Sequence, residues 1–267
     1  MSNIFGKARL VPLAIGATAM AMTAQAGLNH EADGDDEELE FEEAHIYLEL
    51  NDTDGDLGIH GLIDGDAWKS LEIEGPDERV LMNVWIRGRL RRQGMTELFF
   101  ESDEPTFDEL PPGKFFMRFP EGTYEIEGVT LDGEELEGEV ELSHVLAAPP
   151  ANIMVNGEAA APNCDAELPV VSEPVTLDWD AVTLSHPTLG TTGVPVVVQQ
   201  YEVVGEIERE GETPDVLVFK VDLPPGVTAF EFPEDFTGMA DGEIKFEIVT
   251  MLDNGNQTAA ESCFELE

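Results

Sequence analysis

The sequence predicts an all-β protein built from two tandem β-sandwich domains. Short segments alternate apolar and polar residues with a period of two, as half-buried strands do. Turn residues separate these segments every 8 to 12 residues or so, which is typical of a sandwich. An Ala- and Pro-rich stretch divides the chain, and 42% apolar residues are enough to build cores.

The chain start predicts export. Lys7 and Arg9 precede an apolar run, 10–22, that ends at Ala24-Gln25-Ala26, the pattern of a secretory signal peptide. No later apolar run approaches the roughly 18 residues of a membrane span, so we expect a secreted or periplasmic protein. The predicted divisions are a signal peptide (1–26), an acidic flexible leader (27–43), a β-sandwich domain (44–147), a linker (148–163) and a second β-sandwich domain (164–267).

Acidic residues dominate the composition, with 57 Asp and Glu against 13 Lys and Arg and a formal charge of −44. Such a charge disfavours nucleic acid and anionic membranes as partners. Two explanations stay open: the acids solvate the surface in salty water, or some of them collect divalent cations.

Alternation predicts the strands of the first half. Asp64-Gly65 and Asp132-Gly133 are hairpin-turn dipeptides, and Leu136, Val140 and Leu142 are expected to point inward. The predicted strand segments are 45–50, 57–63, 68–73, 84–91, 97–100, 124–131 and 136–142.

The second half repeats the pattern, with segments at 175–179, 196–207, 216–221, 228–232, 243–251 and 258–266. Residues 168–267 resemble a fibronectin type III domain. The resemblance rests on PVTLDWDAVT with Trp179, on QQYEVVGEIE with Tyr201, and on a final hairpin with Phe246 before Asp253-Asn254-Gly255. Phe246 stands where the family commonly has Tyr, and a cysteine pair is not typical of it. The first half is similar to Ig-like bacterial β-sandwich modules. Both resemblances imply binding or structural roles rather than catalysis.

Cys164 and Cys263 are the two cysteines of the chain. An even number of cysteines in an exported protein favours a disulfide.

The stretch ELNDTDGDLGIHGLIDGDAW, 49–68, has acids spaced as in a calcium loop. Leu57 replaces the turn glycine of an EF-hand and Ile63 its closing glutamate, so an EF-hand is not expected. Two interpretations remain: a polar loop between strands, or a looser Ca²⁺ site. The candidate ligands of that site are Asp52, Asp54 and Asp56, with Asp64 or Asp66 nearby.

Trp85, Arg87, Arg89 and Arg91 fall on one face of the predicted strand 84–91, as an anion-docking strip. The alternative is that these arginines pair with the protein's own acids. We also expect the acidic leader, of this or a neighbouring molecule, to dock there, so self-association is one expected behaviour.

No motif of a nucleophile, phosphate loop or zinc protease occurs, so we do not expect an enzyme. The predicted function is an exported binding, adhesion or structural protein with a protein or cell-surface partner and no cofactor, unless Ca²⁺ binds. One alternative is a carbohydrate-active module or hydrolase, which would need an exposed aromatic platform around Trp68 or Trp85. Another is a calcium-responsive structural protein.

Overall fold

The computed structural model describes residues 39–209 and 215–267, and its regular structure is nearly all β-strand, which confirms the predicted class. The predicted signal peptide and residues 27–38 of the predicted leader lie outside the described residues. The strands of the first half are β1 (Leu39–Glu40), β2 (Glu43–Asn51), β3 (Asp56–Glu74), β4 (Val80–Trp85), β5 (Met95–Glu101), β6 (Gly122–Thr130) and β7 (Glu135–Leu142). Those of the second half are β8 (Ala151–Val155), β9 (Glu158–Ala159), β10 (Val170–Val171), β11 (Thr176–Asp180), β12 (Val198–Arg209), β13 (Asp215–Leu223), β14 (Ala229–Glu231), β15 (Glu243–Leu252) and β16 (Gln257–Leu266).

Helices are few and short. They are α1 (Pro112–Arg118), α2 (Glu234–Thr237) and a 3₁₀ turn (Leu90–Arg92). None of the described helices is long and apolar enough to cross a membrane.

The long strand β3 takes part in both layers of the first sandwich. Its first part lies between β2 and β5, and its last part lies between β4 and β6. The predicted turn at Asp64-Gly65 is therefore wrong, because both residues lie inside β3. Gly65 is used for close packing instead: a Cβ there would lie 3.0 Å from the Phe41 ring.

The first core forms where these two layers face each other. Leu48 of β2 and Ile59 of β3 pack in one cluster with Ile126 of β6 and Leu136 of β7. The inward alternation predicted for β7 is confirmed at Leu136 and Leu142, both of which are buried.

The second sandwich has its own core between two sheets. One sheet has the order β14-β11-β8-β9, and the other layer runs β16-β15-β12-β13. Trp179 and Tyr201 meet edge to face between the layers with ring centroids 5.5 Å apart, and the Val182 N–H donates to the Tyr201 hydroxyl at 2.9 Å.

The segment 148–163, predicted as a linker, carries strands. β8 pairs with β11 and β9 pairs with β8, so this segment completes the second sandwich. Its Ala and Pro residues flank a short apolar run, Ile153–Val155, whose last side chain is buried in the second core. The run is too short for alternation to distinguish a strand from a linker.

One sheet continues across both halves. β2 and β16 pair in parallel over three residues, with Ala259 opposite Asn51. Asn256 reinforces this seam: its Oδ1 accepts from Leu48 N at 2.8 Å, and its Nδ2 donates to the Val145 carbonyl at 2.9 Å. The two cores thus share a backbone framework while they remain separate clusters.

Candidate functional site

The predicted disulfide is present. Cys164 and Cys263 are bonded with an S–S distance of 2.02 Å and a sequence separation of 99 residues. The bond joins the segment that follows β9 to β16, and so links the connection between β9 and β10 to the C-terminal strand.

The predicted Ca²⁺ ligands lie on the β2–β3 hairpin and along β3. Asn51 Oδ1 accepts hydrogen bonds from the backbone N–H groups of Thr53 and Asp54, which is a local turn arrangement. Asp52 Oδ1 accepts from His186 Nε2 at 2.8 Å. Asp64 lies eight residues beyond Asp56 on β3, about 26 Å away at the usual rise of a strand, so the structure does not bring it to the loop.

Asp56 lies where several acids converge. Burial, together with the charges of Glu104, Asp54 and Glu261, raises the pKa of Asp56 to about 7. The hairpin therefore concentrates negative charge without Asp64.

A second group lies beside this hairpin and consists of Glu49, His60 and Glu104. The sequence offered His60 as a residue that could join a metal site, but not its association with the two glutamates. His60 Nε2 is 3.0 Å from Glu104 Oε1, and His60 Nδ1 is 3.6 Å from Glu49 Oε2. His60 is 4% exposed, although it lies on the face of the sheet opposite the first core. We call these three residues the Glu-His-Glu cluster.

Two effects oppose each other at the imidazole of this cluster. Burial lowers the pKa of His60, but the hydrogen bond with Glu104 and the charge of Glu49 outweigh it, so the net shift is upward. Burial is also the main reason that the pKa of Glu49 rises to about 7, and the His60 charge only partly offsets it.

Glu104 reaches the cluster because Gly58 has no side chain in its path. Gly58 lies opposite Glu49 across the β2–β3 pair, and a Cβ on Gly58 would fall 2.4 Å from Glu104 Oε1. The segment that carries Glu104 is fixed on both sides, since Ser102 N donates to Ile59 O at 3.0 Å and Phe107 N donates to Gly55 O at 2.8 Å. Glu104 is 44 residues from His60, so no local pattern could have indicated the cluster.

The predicted anion-docking strip is not a strand face. β4 ends at Trp85, Gly88 turns the chain with φ +68°, and Leu90–Arg92 forms a 3₁₀ turn. The arginines therefore lie on an exposed loop, 86–94, which we call the basic loop. Trp85 at its base is 64% exposed, and Leu90 is 48% exposed.

The interpretation that these arginines pair with the protein's own acids does not hold within the described part of the chain. Among the described residues, no carboxylate oxygen lies within 4.0 Å of the guanidinium groups of Arg87, Arg89, Arg91 and Arg92.

A glutamate-lined face lies beside the basic loop. Register places Glu72 opposite Glu127 across β3 and β6, and Glu74 opposite Glu125. A groove of about 410 Å³ runs over this face and is bordered by Trp85. We call this surface the glutamate face.

Only one of the two tryptophans that a carbohydrate-binding platform would use is exposed. Trp68 is fully buried in the first core, and its indole N–H donates to the Thr96 carbonyl at 3.4 Å. Of the two tryptophans considered, only Trp85 presents its ring to solvent.

No protein-family model and no curated protein matches the chain. Similar solved structures include a tetra-tandem repeat from the extending region of a large adhesion protein, with 11% identity, 84% of this chain covered and a TM-score of 0.27. An Escherichia coli alpha-2-macroglobulin also has 11% identity, 84% coverage and a TM-score of 0.27. A bacterial ice-binding adhesin has 10% identity, 86% coverage and a TM-score of 0.21.

This chain spans 50%, 15% and 65% of the lengths of those three proteins. Similarity at these TM-scores carries no inference about function.

Proposed function

We propose that this chain is an exported, non-enzymatic binding and structural protein that engages an acidic protein surface through its basic loop. The observation that carries the proposal is the set of four arginines without an ion-pair partner among the described residues. The chain has a net charge of −44, yet these four cations stay exposed.

The composition of the loop supports a recognition role. Arginine forms two parallel hydrogen bonds to a carboxylate, and Arg and Trp are the residue types that most often dominate binding energy. Trp85 and Leu90 add exposed apolar area beside the charges. An acidic partner would desolvate that area and neutralise the guanidinium groups together.

A second copy of this chain offers such a partner surface. The glutamate face is negative and the basic loop is positive, so the loop of one molecule and the face of another are complementary in charge. The two surfaces adjoin at Trp85. A contact of this kind, repeated between two copies, closes as a symmetric dimer if both loops engage at once.

We further infer that the protein is exported and that its second sandwich is fibronectin type III-like. The apolar start of the sequence and the disulfide both support export. The second sandwich sets β8, β11 and β14 against β16, β15, β12 and β13, with Trp179 and Tyr201 between them. This arrangement supports a fibronectin type III-like module, a scaffold that displays surfaces rather than catalytic groups.

Replacing Arg87, Arg89, Arg91 and Arg92 by Gln tests the proposal. At about 0.15 M salt, we expect wild type to sediment as a concentration-dependent oligomer and to bind immobilised polyglutamate, and the variant to do neither. A matched control replaces four cations away from the loop, Arg79, Lys114, Arg118 and Lys220, by Gln and should behave as wild type. Equal self-association and polyglutamate binding by wild type and the loop variant would contradict the proposal.

A further inference from the structure

We propose that the Glu-His-Glu cluster is a binding site for a divalent zinc-class cation, independent of the basic loop. One imidazole nitrogen and two carboxylate oxygens lie within 4.8 Å of one another. Ligands about 2.1 Å from a tetrahedral ion are about 3.4 Å apart. To share one ion, the two carboxylates must converge on the same ring nitrogen, and the ligand atoms must approach from within 4.8 Å to about 3.4 Å of one another.

The ligand types select the class of metal. Ca²⁺ takes six to eight oxygen ligands, whereas imidazole nitrogen suits zinc and its first-row neighbours. One histidine and two glutamates leave a fourth tetrahedral position for water. The site therefore differs in both place and chemistry from the calcium loop predicted at Asp52, Asp54 and Asp56.

The backbone around the cluster leaves space for this arrangement. Gly58 has no Cβ at the place where Glu104 crosses β3, and any larger residue would collide with that carboxylate. Ser102 and Phe107 fix the Glu104 segment against β3 on either side. The ligands are thus held by paired strands and a tethered segment, which limits the entropy lost when an ion binds.

Among the described residues, no lysine or arginine forms an ion pair with the carboxylates of the cluster. Glu49 and Glu104 share His60 as their ion-pair partner. The nearby Lys245 is engaged elsewhere, with its Nζ 2.6 Å from Glu261 and 3.4 Å from Glu247. A divalent ion would neutralise both carboxylates while a neutral imidazole served as ligand.

The competing explanation is that a protonated His60 balances Glu104, while burial keeps Glu49 partly protonated. In that case the imidazole donates one N–H toward each carboxylate, and no nitrogen lone pair is available for a metal. The two explanations make opposite predictions for added metal.

Thermal unfolding of the mature protein with ZnCl₂ at neutral pH distinguishes a metal site from a protonated His60. We expect Tm to rise by about 5 °C or more when free Zn²⁺ exceeds its Kd a hundredfold. Co²⁺, which gives visible absorption bands in tetrahedral sites, should bind at the same place. CaCl₂ at the same concentration should shift Tm less than ZnCl₂ does.

Two variants assign the effect to the cluster. Glu104→Gln keeps the shape but removes a charged ligand, and should weaken Zn²⁺ binding at least about tenfold. Gly58→Ala removes no ligand but displaces Glu104, and should abolish the Co²⁺ bands. The control Glu97→Gln changes an exposed acid on β5 outside the cluster and should bind as wild type.

Several results would overturn the proposal. An unchanged Tm and absent Co²⁺ bands at about 1 mM metal would assign His60 to the protonated state. Equal Tm shifts with Zn²⁺ in wild type and Glu104→Gln would show that the ion binds outside the cluster. A Tm shift with Ca²⁺ but not with Zn²⁺ would also contradict the proposal. If Gly58→Ala fails to fold, as judged by circular dichroism, the proposal is tested by the Co²⁺ spectrum of wild type and by Zn²⁺ binding to Glu104→Gln.

Discussion

Asp56 is the residue at which the acidity of this protein has its clearest local consequence. Its carboxylate is partly buried at the end of the β2–β3 hairpin, and the charges of Glu104, Asp54 and Glu261 act on it in the same direction. The pKa of Asp56 rises from 3.8 to about 7 as a result. The folded protein therefore holds a proton at this position at pH values where the unfolded chain has released it.

The sign of the pH effect follows from linkage. Between about pH 4 and 7 the native state binds more protons at Asp56 than the unfolded state, so the free energy of unfolding falls as pH rises through this window. We expect Asp56→Asn to reduce this pH dependence and to stabilise the protein at pH 8, on the order of 2 kcal/mol. Part of the dependence should remain, because the raised pKa of Glu49 acts in the same direction. Urea unfolding at pH 5 and pH 8, with chelator present, measures it.

Asp66→Asn is the control for that experiment, because it neutralises an exposed acid on the same strand. It should leave the pH dependence unchanged. A wild-type protein whose stability rises steadily from pH 5 to pH 8 would contradict the expected sign.

At the scale of elements, the short strand β1 is docked by one aromatic ring. Phe41, within the predicted flexible leader, lies in a slot made by three glycines on three different strands: Gly65, Gly128 and Gly138. A Cβ on any of them would lie 2.9 to 3.1 Å from the ring. Phe41 N also donates to the Glu137 carbonyl at 3.2 Å. The slot explains why glycines occur inside strands, where they otherwise cost stability.

Phe41→Ala should therefore release β1 from the edge of β7. We expect a loss of about 2 kcal/mol in the free energy of unfolding, less than for a fully buried ring because Phe41 is half-buried. Hydrogen exchange of the β7 amides and urea unfolding would measure the change.

Glu42→Ala, which alters an exposed neighbour, is the matched control and should change stability by less than about 0.5 kcal/mol. Unaltered stability and exchange in Phe41→Ala would show that the slot does not hold β1.

At the scale of the whole molecule, the net charge of −44 opposes compaction. Sheet pairing puts like charges opposite each other, as with Glu72 and Glu127, and such pairs are destabilising. The two apolar cores and the disulfide offset this repulsion. Folding at this charge therefore depends on screening by dissolved ions.

We expect Tm to rise as NaCl is increased from about 0.1 M to 1 M, because the screening length falls from about 10 Å to 3 Å. Choline chloride should act similarly, since screening does not require a small cation. Calorimetry across this range measures the effect. A Tm that falls with NaCl, or rises with NaCl but not with choline chloride, would contradict screening as the cause.

Sequence patterns predicted much of the local structure. Period-two alternation located β2, β6, β7 and, in the second half, β11 to β16, because alternation follows directly from one buried strand face. It failed at Asp64-Gly65, where a turn dipeptide lies inside β3, and at Arg87–Arg91, where alternation continues past the end of β4.

By itself, the sequence determined the all-β class, the disulfide and the acidic surface, because each depends on composition or on neighbours along the chain. Only the tertiary structure decided that β2 and β16 join the two halves in one sheet. It also decided that Glu49 and Glu104, 55 residues apart, meet at His60. The physical reason is that alternation specifies which face of a strand is apolar but not which strand lies beside it, and the cluster depends on that pairing and on the space left by Gly58.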